Sequence, residues 1–175
     1  NDGHGVLIEN GSFNANVVGN AIGFNGLDGV AIAATASNKH VVSLNSFRGN
    51  TGIPIDLANN GVTPNDPNDE DPGVNGLQNY PVIESQGTNL VGSNWQIPVQ
   101  LDVNQVGQYQ VELYRVIPQS GGKFDYIYVD DAIVNVTQLS SAGFDAVGTI
   151  SIANGTISQN DVIAVMAVGF SGTNT

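Results

Sequence analysis

The stretch GVLIENGSFNANVVGNAIGFNGLD, residues 5–28, is followed at once by GVAIAATASNKHVVSLNSFRGNT, residues 29–51, and then by GIPIDL from residue 52. Laid over one another, the three segments step by 24 residues from Gly5 to Gly29 and by 23 from Gly29 to Gly52. After each glycine comes a β-type triplet: Val6-Leu7-Ile8, Val30-Ala31-Ile32 and Ile53-Pro54-Ile55. A second apolar pair follows (Val17-Val18, Val41-Val42), and then two asparagines flanking an apolar residue: Asn20, Ile22, Asn25 and Asn45, Phe47, Asn50. Three short strands per turn of about two dozen residues is the rhythm of a right-handed parallel β-helix. Asparagine at a matched place in successive turns can stack into an amide ladder. The competing reading is a plain β-sandwich with Asn-Gly hairpin turns, of which Asn10-Gly11, Asn25-Gly26 and Asn60-Gly61 are examples. Hairpins do not explain a near-constant period with matched positions, so the helix reading is preferred.

Beyond residue 52 the segment GIPIDLANNGVTPNDPNDEDPGVNGLQNYPVI, residues 52–83, leaves the repeat through an acidic, proline-broken loop and returns to an apolar run. From Pro81 the pattern becomes strict alternation, with Trp95, Ile97, Val99, Leu101 and Val103 on one face of one strand and Tyr109, Val111 and Leu113 on one face of the next. Further strands read at 126–129, 132–136, 147–152 and 162–168. That number and spacing of strands indicates an immunoglobulin-like antiparallel β-sandwich. The expected fold is therefore all-β: parallel β-helix rungs over 1–62, an acidic junction loop over 63–80 and a β-sandwich over 81–175.

The repeat together with the 52–83 junction resembles the end of the right-handed parallel β-helix region of large secreted and cell-surface bacterial proteins, where a comparable loop leads into a β-sandwich module. The resemblance covers roughly residues 5–83. It implies an extracellular structural or adhesive role and no defined chemistry.

Composition narrows the partners. The chain has 175 residues and a formal net charge of −12, yet Lys and Arg together number only four. Nucleic acid is disfavoured because phosphate neutralisation needs clustered cations, and an anionic membrane surface is disfavoured for the same reason. No stretch approaches the roughly 20 apolar residues of a membrane span. The opening NDGHGVLIEN has no leader pattern, which reads as a mature chain or a fragment. Cysteine is absent, which excludes a disulfide framework.

Carboxylates without cations point to a divalent counter-ion. The loop holds Asp66, Asp69, Glu70 and Asp71 with Asn65 and Asn68 on a backbone stiffened by Pro64, Pro67 and Pro72. Closely spaced hard oxygens suit Ca²⁺, and Asp66, Asp69 and Asp71, helped by Asn65 and Asn68, are the candidate ligands. The alternative is a solvated acidic loop, and the EF-hand pattern is not met. Asp125, Asp130 and Asp131 form a weaker cluster.

Enzymatic sites are not indicated. His4, Lys39 and His40 fit turns, Asp28 and Asp56 fall at related places in successive turns without a groove long enough for a glycan, and Trp95 fits a core strand better than a sugar platform. Sequons at Asn10, Asn135 and Asn154 arise by chance in an Asn-rich chain. The expected function is a self-associating, calcium-stabilised subunit or segment of an extracellular or cell-surface filament. Its expected partners are other copies of itself, head-to-tail through an open first turn, or neighbouring domains of a longer chain, with the last strand (DVIAVMAVGFSGTNT, 161–175) a candidate for exchange between subunits. The alternative is a carbohydrate-binding or polysaccharide-modifying module of the lyase or epimerase kind.

Overall fold

A computed structural model describes residues 1–36, 39–84, 87–141 and 143–170, with the side chains of 169 and 170 left aside. The chain is all-β. Its contacts divide it into two compact units, one of residues 1–64, 71–78 and 116–128, the other of residues 65–70, 79–115 and 129–175.

The first unit is built from three parallel ladders. Strands β1 (Val6–Ile8), β4 (Val30–Ala33) and β7 (Ile55–Ala58) form one, β2 (Asn16–Val18) and β5 (Val41–Ser43) the second, and β3 (Ala21–Gly23) and β6 (Ser46–Arg48) the third. Registers are Val6↔Val30, Val30↔Ile55, Asn16↔Val41 and Ala21↔Ser46, so the step is 24 residues once and 25 thereafter. The third copy thus differs from the sequence alignment: Ile55-Asp56-Leu57, not Ile53-Pro54-Ile55, lies against Val30-Ala31-Ile32. The side chain of Asp28 sets this shift, because its Oδ1 accepts the Ile53 N–H at 2.7 Å and fills the space where a Cβ on Gly52 would stand. Asp56 consequently faces Ala31 rather than Asp28. It caps the next bend, its two oxygens accepting the N–H groups of Asn60 and Gly61 at 3.1 and 2.8 Å.

Corners between strands follow a five-residue rule. Left-handed backbone occurs at Asn14, Gly19 and Phe24 and again at Lys39, Leu44 and Gly49. Each such residue turns the next N–H away from the strand ladder, and a buried N–H needs a partner. The partner is the side chain one copy further on: Ala15 N–H donates to His40 Nδ1 at 3.1 Å, Asn20 N–H to Asn45 Oδ1 at 2.8 Å, and Asn25 N–H to Asn50 Oδ1 at 3.2 Å. The amides also bond to one another, Asn1–Asn25 at 2.8 Å, Asn25–Asn50 at 2.9 Å and Asn20–Asn45 at 3.2 Å. Between them Ile22 and Phe47 are buried in register.

On the far side of β6, Phe47 pairs antiparallel with Tyr126 from the first part of β12 (Phe124–Val136). A turn over Val74–Leu77 packs against β7, and Asn75 closes on the His40 backbone, accepting its N–H at 3.1 Å and donating to its carbonyl at 2.7 Å.

The second unit is antiparallel. β10 (Asn94–Leu101) pairs with β13 (Ala146–Ala153) on one side, and with β8 (Val82–Ile83) and β9 (Asn89–Val91) on the other. β14 (Val162–Phe170), β11 (Gly107–Pro118) and β12 neighbour one another in that order. Ile97, Val99 and Leu101 of β10, Tyr109, Val111 and Leu113 of β11, Val134 and Val136 of β12, and Ile150 and Ile152 of β13 close into one core, as the alternation required. Trp95 packs against that core. β12 is a single strand where the sequence suggested two, because the Asp130 carboxylate turns back onto the Asp131 N–H at 2.9 Å instead of breaking the strand. Residues 171–175, the end of the strand considered for exchange, lie outside the described residues.

Candidate metal centre

Pro67 and a pair of left-handed residues shape the acidic loop. Pro67 opens a single tight turn, and Asn68 and Asp69 follow with φ of 62° and 52°. Each non-glycine residue in this region costs on the order of 1–2 kcal/mol, so the surroundings must hold them there. Asn79 supplies much of that hold. Its Oδ1 accepts the Asp66 N–H at 3.0 Å, its Nδ2 donates to the Asp66 carbonyl at 2.8 Å, and its own N–H donates to Asp69 Oδ1 at 2.7 Å. Asn104 Nδ2 donates to the Asp69 carbonyl at 2.8 Å, and Asp102 Oδ1 accepts the Asn68 N–H at 3.1 Å.

The result is a cluster of carboxylates. Asp66, Asp69 and Asp71 each present one oxygen within 4.8 Å of the others, and Asp69 is buried at 3% exposure. Asp66 Oδ2 accepts the Glu70 N–H at 3.1 Å, whereas Asp66 Oδ1 and Asp71 Oδ1 are buried without a hydrogen-bond partner among the described residues. A buried carboxylate oxygen with no donor is costly, and three converging oxygens repel one another unless a cation stands among them. Carboxylate donors of this kind suit Ca²⁺, Mg²⁺ or Mn²⁺.

Neighbouring titrations register the negative field. Burial pushes the Asp102 carboxyl up from the usual carboxylate range against the opposing Asn68 N–H bond, and the charges of Asp145 and Asp66 add to the rise. Burial pushes the Tyr109 hydroxyl up to about 12, with Asp69 and Asp145 contributing. The ion pairs found among the described residues, His4 with Asp28 and Arg115 with Asp161, involve none of the loop carboxylates.

Of the two asparagines expected to assist, Asn65 has its amide oxygen engaged outside the loop carboxylates, whereas Asn68 bonds within the loop. Asn65 exchanges two hydrogen bonds with the Tyr80 backbone, at 2.8 and 2.9 Å, and Asn68 Nδ2 reaches Glu70 Oε1 at 3.4 Å. Asn79, Asn104 and Asp102, which lie further along the chain and support the loop, were not indicated by local spacing. In the weaker cluster, Asp125 is spent on the Gly49 N–H at 2.8 Å and the Gln119 amide at 3.0 Å. No protein family, curated protein or solved structure matches this chain.

Proposed function

We propose that the chain is a structural, self-associating module of an extracellular or cell-surface filament, in which the 1–62 region forms rungs of a right-handed parallel β-helix and the rest an immunoglobulin-like β-sandwich. The observation that carries the reading is the corner-capped stacking of copies at a 25-residue step, which spends side-chain chemistry on joining one rung to the next. A solenoid of this kind buries its core only against neighbouring rungs, which suits a spacer or stalk. In the loop, Asp66, Asp69 and Asp71 hold a Ca²⁺, with backbone carbonyls and water completing its six to eight oxygens. The two partnerless buried oxygens support a bound cation over a merely solvated loop.

The carbohydrate alternative draws on a cavity of about 410 Å³ lined by Asn68, Glu70, Val103, Asn104, Leu139 and Ser140. Its amides and hydroxyl groups suit sugar hydroxyls, but the described lining carries no aromatic ring for stacking.

Electron microscopy and sedimentation of the purified protein, with calcium and then with excess chelator, test the role. Assemblies that need calcium support both parts. Assemblies indifferent to chelator remove the metal, and dispersed monomers in both conditions remove self-association.

A further inference from the structure

An asparagine followed by glycine is open to a spontaneous backbone reaction, because glycine has no Cβ to keep its nitrogen away from the preceding side-chain amide. The chain holds such pairs at Asn10, Asn25, Asn60, Asn75 and Asn154. In each, the reacting atom is the glycine nitrogen, which must give up its proton and turn toward the asparagine Cγ. A hydrogen bond from that N–H opposes both movements, since the reaction must first break it.

In the first four pairs the N–H is held. Gly11 donates to the Thr35 carbonyl at 3.0 Å, Gly26 to the Asn1 carbonyl at 2.9 Å and Gly76 to the Gly73 carbonyl at 3.0 Å. Gly61 donates to Asp56 Oδ2 at 2.8 Å, where the negative charge also opposes loss of the proton. Two of these asparagines are held by their side chains as well: Asn25 Nδ2 donates to Asn50 Oδ1 at 2.9 Å and Asn75 Nδ2 to the His40 carbonyl at 2.7 Å. At Asn154 the arrangement differs. Its own N–H donates to the Ser93 carbonyl at 2.8 Å and the Thr156 N–H to the Ala153 carbonyl at 3.1 Å, which pins the turn on both sides of Gly155. Asn154 also bridges Ile157 across the turn. Among the described residues, however, no bond of hydrogen-bond geometry holds the Gly155 N–H or the Asn154 side-chain amide, and both residues are exposed.

We propose that Asn154 is a modification site, the asparagine that the native fold leaves open to spontaneous deamidation. The Gly155 nitrogen forms a bond to the Asn154 Cγ, the Cγ–Nδ2 bond breaks, and ammonia leaves with the proton that the glycine gave up. The five-membered imide then takes up water. Addition at Cγ returns an ordinary aspartate, whereas addition at the main-chain carbonyl carbon of residue 154 routes the chain through the side chain as isoaspartate. Water is the one co-reactant, and nothing is oxidised or reduced. Either product adds a negative charge at the end of β13. Isoaspartate also inserts a methylene into the backbone just before Ile157, which is 5% exposed and belongs to the core of the second unit. Ageing therefore loosens a core residue there, while Asn25 in the amide ladder is shielded.

Peptide mapping by mass spectrometry tests the assignment on the native chain and on the chain unfolded in guanidinium chloride, incubated side by side in mildly alkaline buffer. In the unfolded chain all of the Asn-Gly pairs should convert at similar rates. In the native chain Asn154 should convert while the other four lag it by about tenfold or more, roughly what one hydrogen bond of protection is worth as a rate. The modified peptide should separate into two species of equal mass, aspartate and isoaspartate. Asn154→Gln, whose longer side chain closes a less favourable ring, should lose the mark, and after ageing it should keep a higher denaturant midpoint than aged wild type. Circular dichroism checks that the variant folds. Asn10 or Asn60 converting as fast as Asn154 in the native chain, or Asn154 converting no faster than the rest, overturns the site. Equal midpoints of aged wild type and aged Asn154→Gln overturn the loosening of Ile157.

Discussion

Truncating Asn50 to alanine removes one stitch from the amide ladder, and its consequence can be worked from the contacts. Asn50 is 4% exposed. Its Oδ1 accepts the Asn25 N–H at 3.2 Å and Asn25 Nδ2 at 2.9 Å, and its Nδ2 donates to the Ile22 carbonyl at 3.2 Å. Alanine leaves three polar groups without partners in a buried place, and each such group costs about 1–3 kcal/mol. Asn25 can swing its amide toward solvent through Asn1, which recovers part of one term. The expected loss is about 3 kcal/mol, measured as a lowered urea midpoint of the transition that reports the first unit. Asn50→Asp keeps an acceptor for Asn25 but buries a carboxylate and sets an oxygen against the Ile22 carbonyl, so it should lose at least as much as alanine. Asn20→Ala is the internal comparison: Asn20 belongs to the same ladder but is exposed, water replaces its bonds, and the expected loss is within about 1 kcal/mol. If Asn50→Ala and Asn20→Ala lose the same small amount, under about 0.5 kcal/mol each, the ladder is not what joins the copies and the reasoning fails.

Two further outcomes follow from the packing and the field of the loop. Gly29→Ala places a Cβ 2.4 Å from the Phe47 ring and 2.6 Å from the Pro54 carbonyl oxygen, so overpacking should cost about 1–3 kcal/mol in the same unfolding experiment, and an unchanged midpoint would show that the ladders slide freely. The Tyr109 hydroxyl, raised to about 12, keeps its proton in the folded chain at pH values where the unfolded chain, near 10, has released it; stability should therefore fall as pH rises between those two values. Ultraviolet difference titration should show one tyrosine ionising last, and Asp69→Asn should bring it down, because Asp69 is part of what holds it up.

The sequence carried the repeat because residues at matched positions have matched tasks. Asn45 and Asn50 occupy corners where their side chains accept the turned-away N–H groups of Asn20 and Asn25. The third copy was harder to place, since Ile53 and Ile55 both fit an apolar strand. The choice between them is made by a contact from Asp28 that no local pattern records. His40 read as a turn residue and is 4% exposed, its ring being the corner cap of Ala15, a role visible only once the copies are stacked. The alternation in β10 and β11 was legible because one face of each strand enters a single core. In the acidic loop, proximity along the chain was enough to gather Asp66, Asp69 and Asp71. What holds them in place comes from Asn79, Asn104 and Asp102, whose approach depends on tertiary structure. Asn65 illustrates the converse: it sits beside the carboxylates in sequence, yet its amide is committed to Tyr80.

Calorimetric titration of Ca²⁺ into the chelator-treated protein, alongside Asp66→Asn and Asp71→Asn, tests the central assignment most directly. The account predicts one site per chain in the wild type, with affinity reduced at least tenfold in each variant, since each removes a charge from a three-carboxylate set. Binding should also lower the Asp102 titration, because the cation offsets the Asp66 charge that helps to raise it. No saturable heat in the wild type, or binding left unchanged by both substitutions, would contradict the assignment of the loop as a calcium site.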